Sequence, residues 1–338
     1  MSNIIPFNKD IPTFTELWQK YWSDEDKPES FTTLLSLDRV NCTVIKSYVD
    51  KRLTEALQTT YITPSPEKTI REASMLKLLD ELGVNVPKIT GFNKDKTAFS
   101  MIFIPGDPLM EWMDAHQLTD TEIEHVVKLL ISVQTKLKSK KDVILNSFPP
   151  YPGHTGNVLL FLSETLKRIA DKDWASSTDS LLKRKFIEIV DQLKNRIEAH
   201  SKYYQCNDVI YGDFVTRNII RKPTGSLVLL DPILCIGRRS MDIARFGKSI
   251  VVRNIQLFNS KYEIILSTYN ELSTHPVLRE EVIDMLCIDL LRELSLYLNI
   301  PDSQLHRFPV FIKLASRDNL SLYLDKVIPN LFKDRVST

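Results

Sequence analysis

Residues 209–246 read VIYGDFVTRNIIRKPTGSLVLLDPILCIGRRSMDIARF. The apolar run Val209, Ile210, Tyr211 predicts a short strand, and Gly212 a tight turn after it. Asp213 follows, then four residues, then Asn218. Ile219 and Ile220 open a second short strand. Pro223-Thr224-Gly225 predicts a hairpin turn, and the return strand, residues 227–230, delivers Asp231 at its end. Taken singly, Asp213 reads as a turn or capping aspartate, Asn218 as a turn residue, and Asp231 before Pro232 as plain strand termination. Their order on strand, turn and hairpin is what carries information.

Phosphoryl transfer asks for these residue types. Its transition state is loose, so catalysis is positioning plus neutralisation of charge by a metal ion. One carboxylate must face the attacking hydroxyl and accept its proton, a role that Asp213 suits. A second carboxylate and an amide oxygen must hold Mg²⁺, a hard cation that prefers oxygen ligands. Asp231 and Asn218 suit those roles.

Outward from this stretch the pattern is α+β and bilobal. Strand signals precede it at residues 31–37, 43–49 and 98–104, with one helix over 67–82. Helical periodicity dominates afterwards. Thr119 with Glu122 reads as a capping box, followed on one face by Ile123, Val126, Val127, Leu130, Val133 and Leu137. Residues 176–204 form another helical pattern with the stripe Leu181, Leu182, Phe186, Ile189, Val190, Leu193 and Ile197. Further helical stretches run from residue 240 to the end. Pro105-Gly106-Asp107-Pro108 breaks the pattern and predicts a linker between a small β-rich N-terminal lobe, 1–104, and a large, mostly helical C-terminal lobe, 105–338.

The chain's 44 basic and 43 acidic residues leave a net charge of +1, without the basic excess of a nucleic-acid binder. Lys136, Lys138, Lys140 and Lys141 read as the solvated end of a helix. No apolar run approaches the roughly 20 residues needed to span a bilayer. Residues 1–13 have no apolar core of signal-peptide length, so a cytoplasmic protein without membrane partners is expected. Cys42, Cys206, Cys235 and Cys287 are scattered without CxxC spacing, which predicts buried reduced thiols. The six histidines do not cluster at metal-ligand spacing. Trp18, Trp22 and Trp112 read as packing residues.

GDFVTRN, then LLDP, then GRRSMD resembles the catalytic stretch of the aminoglycoside phosphotransferase family of kinases, with its protein-kinase-like fold. The resemblance implies that Asp213 is the catalytic aspartate and that Asn218 and Asp231 bind metal. Asp242 matches the later aspartate that opens a helix and braces the catalytic loop. Val44-Ile45-Lys46-Ser47-Tyr48 resembles the strand offering the phosphate-contacting lysine. Arg71-Glu72-Ala73-Ser74-Met75-Leu76 resembles the helix whose glutamate, Glu72, pairs with it. The strand ending in Pro105-Gly106 resembles the hinge, where adenine would stack and read backbone groups from Ile102 to Ile104.

The implied activity is ATP- and Mg²⁺-dependent transfer of the γ-phosphoryl group to a hydroxyl of a small molecule. Two alternatives stay open: a pseudokinase acting as a binding or regulatory protein, and a protein kinase. Tyr211 stands where the family carries histidine, and no glycine precedes Lys46. The corresponding stretch, residues 23–30, is acidic. Arg238 and Arg239 stand where the family often has Asp-Pro, and their expected place is solvent, with contact to a phosphate or acidic substrate as the alternative. Glu111, Asp114, Asp284 and Asp289 are the carboxylates available to a cationic acceptor.

Overall fold

In a computed structural model, the β-branched residues near the N-terminus form an antiparallel sheet. The structure describes residues 33–38, 43–54, 59–64, 66–115, 118–148, 162–163, 165–167, 177–199, 207–251, 255–297 and 323–329. The acidic stretch 23–30, Trp18, Trp22, Cys42, Cys206 and most of the last forty residues lie outside that set.

Strand β1 (Thr33–Asp38) pairs with β2 (Thr43–Thr54), which pairs in turn with β3 (Thr59–Pro64). Helix α1 (Pro66–Glu81) leads to β4 (Ile89–Phe92) and β5 (Ala98–Ile102). The sheet order is β1-β2-β5-β4, with β3 on β2. This register sets Lys46 between Leu35 and Phe99. Helix α1 buries Thr69, Glu72, Ala73, Leu76 and Leu79, the spacing of one helical face, and packs it on β2 and β5. It stops at Gly83, where φ is 66° and the amide bonds Asp80 O at 2.8 Å.

The chain divides into two compact units: Met1–Trp112 with Arg217–Ile233, and Met113–Thr216 with Leu234–Thr338. A single cut after residue 104 does not describe this grouping, because the hairpin that carries Asn218 and Asp231 packs with the sheet. Asp107–Pro108 is a two-residue strand, β6, paired with β8 (Ile219–Arg221), which pairs with β9 (Leu227–Leu229). Asn85 holds β9 from the other side, donating Nδ2 to Leu227 O at 2.6 Å and accepting the Leu229 amide at 2.9 Å.

Gly106 has φ 147°, and a Cβ there would lie 2.4 Å from the backbone oxygen of Arg221. Gly106→Ala is therefore expected to cost at least about 2 kcal/mol, read from urea unfolding midpoints. An unchanged midpoint would show that β6 yields without cost.

The second unit is helical. It comprises part of α2 (Leu109–Ala115), then α3 (Asp120–Lys138), α4 (Lys141–Ser147), α5 (Ser177–Ala199), α6 (Arg239–Val251), α7 (Ile255–Leu272) and α8 (Arg279–Tyr297). Two short strands, β7 (Asp208–Ile210) and β10 (Cys235–Gly237), pair antiparallel. The Thr119 capping box is present, and the six apolar residues expected on α3 are all buried. On α5 the stripe is buried except Leu181, which is exposed. Leu181 and Leu182 lie about 100° apart on a helix, so one of them must turn away from the core.

Helices α6 and α8 are joined by charge. Asp289 faces Lys248 at 2.6 Å, Arg245 at 3.8 Å and Arg292 at 3.9 Å. Burial alone would raise its pKa, but these three cations hold it well below the ordinary carboxylate value of 3.8. The stabilisation is therefore complete above pH about 4 and is lost as pH falls through the lowered folded value. Asp289→Asn should cost about 3 kcal/mol at pH 7, with the gap to wild type narrowing below pH about 4. Urea midpoints at pH 7 and pH 3 check both statements.

Cys235 and Cys287 are buried free thiols. Among the described residues, no helix is long and apolar enough to cross a membrane.

Candidate active site

Among the described residues of the sheet unit, Lys46 is the most buried charge, 2% exposed. Alternation along β2 points it inward beneath α1, and Glu72 on the buried face of α1 meets it. The Lys46 ammonium donates to Glu72 Oε1 at 2.8 Å and to Asp231 Oδ1 at 2.5 Å. The two carboxylates differ in solvation: the side chain of Glu72 is 6% exposed and that of Asp231 48%. One buried cation thus joins a carboxylate of the core to one that reaches solvent.

Asp231 ends the β8–β9 hairpin in the left-handed region, φ 53°. A non-glycine residue held there is uncommon, and such conformations cluster at functional sites. The Leu230 amide donates to Asn218 O at 2.8 Å, so the backbones of residues 218 and 230 are adjacent across the hairpin. Asn218 is buried and Asp231 half-buried. Both offer oxygen donors of the hard kind that Mg²⁺ takes. Among the described residues, no three His, Cys, Asp or Glu side chains gather as a metal cage.

Ile102 and Phe103 expose apolar side chains at the end of β5, while Ile104 is half-buried. Just beyond, the Arg221 guanidinium lies 4.6 Å from the centroid of the Trp112 ring, so Trp112 packs against the hairpin.

Asp213 belongs to the second unit. It follows β7 and Gly212, whose φ is 86°, and its carbonyl accepts the Val215 amide at 2.9 Å. The loop is held from below by Asp242 at the start of α6. Asp242 accepts the amides of Tyr211 and Gly212, each at 2.9 Å, and Gln134 Nε2 at 3.1 Å. Burial pushes the Asp242 carboxyl above its usual range, opposed by these three hydrogen bonds and by Arg245. Gln134 in turn accepts the Tyr269 hydroxyl at 2.7 Å. Tyr211 itself is buried, its ring edge-on to Phe214. The brace uses backbone amides, so a tyrosine in place of histidine leaves it intact.

The structure overturns two sequence expectations. Arg238 and Arg239 do not sit in solvent. Arg238 forms a two-pronged pair with Glu281 at 2.7 and 2.8 Å, and Arg239 is buried against Asp208 at 3.2 Å. Asp284 and Asp289 are not open to a cationic acceptor, being buried against Arg196 and against the three cations above. Glu111 is exposed, and the side chain of Asp114 lies outside the described set.

Sequence reading also missed Gln134 and Asn85. Gln134 had a signal, because it is a polar residue in step with Val127, Leu130 and Leu137 on a buried face. Asn85 had none.

The architecture is the protein-kinase-like α+β fold of the small-molecule phosphotransferases. No family model matches the chain. No curated protein matches it either. Solved structures do. The GDP complex of aminoglycoside 2'-phosphotransferase-IIIa aligns over 95% of this chain and 98% of its own, with TM-score 0.55 at 15% identity. Choline kinase LicA from Streptococcus pneumoniae aligns over 91% of each chain, with TM-score 0.52 at 14% identity. Plasmodium vivax ethanolamine kinase covers 80% of this chain and 78% of its own, with TM-score 0.51 at 14% identity.

Proposed function

We propose that this protein is a phosphotransferase that moves the γ-phosphoryl group of ATP, with Mg²⁺, to a hydroxyl of a small molecule. The observation that carries the reading is the Lys46 ammonium, buried and bonded to both Glu72 and Asp231 at the end of a hairpin that also carries Asn218. The likeness to kinases of choline, ethanolamine and aminoglycosides supports a small hydroxyl compound as acceptor over a protein.

In this reading Lys46 contacts the nucleotide phosphates as a point charge, and Glu72 fixes its position. Adenine stacks by Ile102 and reads backbone groups up to Ile104. Asn218 and Asp231 would hold Mg²⁺, which neutralises phosphate charge when bound. Asp213 orients the acceptor hydroxyl and takes its proton while the hydroxyl oxygen bonds to the γ-phosphorus and the bond to the bridging oxygen of ADP breaks. The loop under Asp213 is fixed by Asp242 before substrate arrives, which limits the reorganisation left for the reaction step.

The test is ADP production from Mg²⁺-ATP, and from Mg²⁺-GTP, against a panel of amino sugars, amino alcohols, sugars and nucleosides. At least one acceptor should raise turnover well above the background hydrolysis. Nucleotide binding with no acceptor phosphorylated would identify a non-catalytic binder, and phosphate found only on proteins would identify a protein kinase.

A further inference from the structure

The loop that carries Asp213 is gripped at both ends by one face of α6. Asp242 accepts the Tyr211 and Gly212 amides at its start, and Ser249 Oγ accepts the Thr216 amide at 3.3 Å at its end. Residues 242 and 249 are two turns apart, so they share one side of the helix. Arg245 comes between them, about one turn from each, and its carbonyl accepts the Ser249 hydroxyl at 3.0 Å. The loop between the two grips runs from Asp213 to Val215, and Arg245 belongs to the helix face beneath it.

Arg245 is buried, 6% exposed. Its pairing with α8 does not use up its charge. Asp289 stands 3.8 Å away, beyond hydrogen-bond reach, while Lys248 meets the same carboxylate at 2.6 Å and Arg292 faces it at 3.9 Å. Burial works against the charge of Arg245. Asp289, then Asp213, Cys235 and Asp242, more than offset that and hold the guanidinium above its ordinary pKa. Of the two carboxylates on the loop side, Asp242 already serves three N–H donors. Asp213 is the one that the loop itself presents.

A carboxylate at this position needs support. Gly212, Phe214, Val215 and Thr216 are buried, and Asp213 is half-buried among them. Partial burial opposes a negative charge, and a fixed cation nearby favours it. Arginine suits the task because it does not give up its proton.

We propose that Arg245 is a positioning residue for Asp213, supplying from beneath the loop the fixed positive charge that holds it as a carboxylate ready to take the acceptor's proton. This role rests on the reading of Asp213 as proton acceptor, but the coupling between the two charges can be measured without turnover.

The Asp213 carboxyl should be titrated by carbon-13 NMR in aspartate-labelled protein, with its signal assigned by loss in Asp213→Asn. Removing a nearby cation raises a carboxyl's midpoint, so in R245M it should rise by about one pH unit or more. R245K keeps the charge and should stay near wild type. R245Q, neutral but polar, should match R245M and takes its place if circular dichroism shows the methionine variant unfolded. D289N is the packing control: it loosens α6 from α8 but leaves the guanidinium, so the midpoint should not rise. With an acceptor that is turned over, the acid limb of the single-turnover rate should move up with the midpoint in the neutral variants, while KM for ATP stays put. An unmoved Asp213 midpoint in both neutral variants overturns the proposal. An equal rise in D289N overturns it too, by assigning the effect to packing. A midpoint that responds to Arg245 in a wild type that phosphorylates no acceptor would refute the phosphotransferase reading instead, and leave Arg245 a structural charge.

Discussion

Asp213→Asn should slow phosphoryl transfer by about a thousandfold, or about 4 kcal/mol of barrier, with melting temperature and nucleotide affinity unchanged. The amide has the size and shape of the carboxylate but cannot accept the acceptor's proton. The loop should not move, because its conformation is set elsewhere. Asp242 accepts the Tyr211 and Gly212 amides, and Asp213 O accepts the Val215 amide; none of these bonds involves the side chain of residue 213. Asp213 is half-buried and faces the charge of buried Arg245, which keeps Asp289 as its nearer partner when residue 213 loses its charge. Asp242→Asn is the informative contrast. It replaces one carboxylate oxygen of a fully buried acceptor that serves three donors, so it should lower the melting temperature as well as the rate. Asp213→Asn turning over like wild type, measured by single-turnover transfer from labelled ATP, would remove Asp213 from the chemistry.

The stretch from Val209 to Phe246 made much of this legible, because its information is local. A strand, a glycine turn and a hairpin with Pro223-Thr224-Gly225 are set by neighbouring residues, and so is the capping box at Thr119. The buried stripe of α3 was legible for the same reason: its period is written in the sequence. What stayed hidden depends on partners far along the chain. Arg239 meets Asp208 31 positions away, and Arg238 meets Glu281 43 positions away. No period encodes such pairs, so arginines in a loop read as solvated. Asp284 and Asp289 misled in the same way, since a helix charge reads as exposed until the neighbouring helix brings cations against it. Strand β3 was missed because Thr59 to Thr63 is rich in threonine and lacks a clean alternation, although β-branched residues suit a strand. The grouping of residues 217–233 with the sheet rests on β6 and Asn85, which pair across more than a hundred residues.

Lys46→Met should cost about 4 kcal/mol of stability and abolish nucleotide binding, and the two losses should separate in a double variant. Methionine fills the volume of the lysine stem but removes the cation shared by Glu72 and Asp231. Their fates differ with solvation. Asp231, about half exposed, recovers water when the ammonium leaves, so it contributes little to the cost. Glu72 cannot, because its side chain is 6% exposed and water does not replace the lost ammonium there. Replacing it by glutamine as well removes that penalty. Lys46→Met/Glu72→Gln is therefore expected to regain most of the lost stability, a coupling of about 2 to 3 kcal/mol in a double-mutant cycle. Nucleotide binding should stay lost, since neither change restores a cation for the phosphates. Urea unfolding gives the cycle, and the thermal shift with Mg²⁺-ATP reports the binding. A double variant no more stable than Lys46→Met would place the cost outside the Lys46–Glu72 pair. Full nucleotide affinity in Lys46→Met would mean that the buried ammonium serves the fold alone, and the case for a phosphate-binding site in the sheet unit would fail with it.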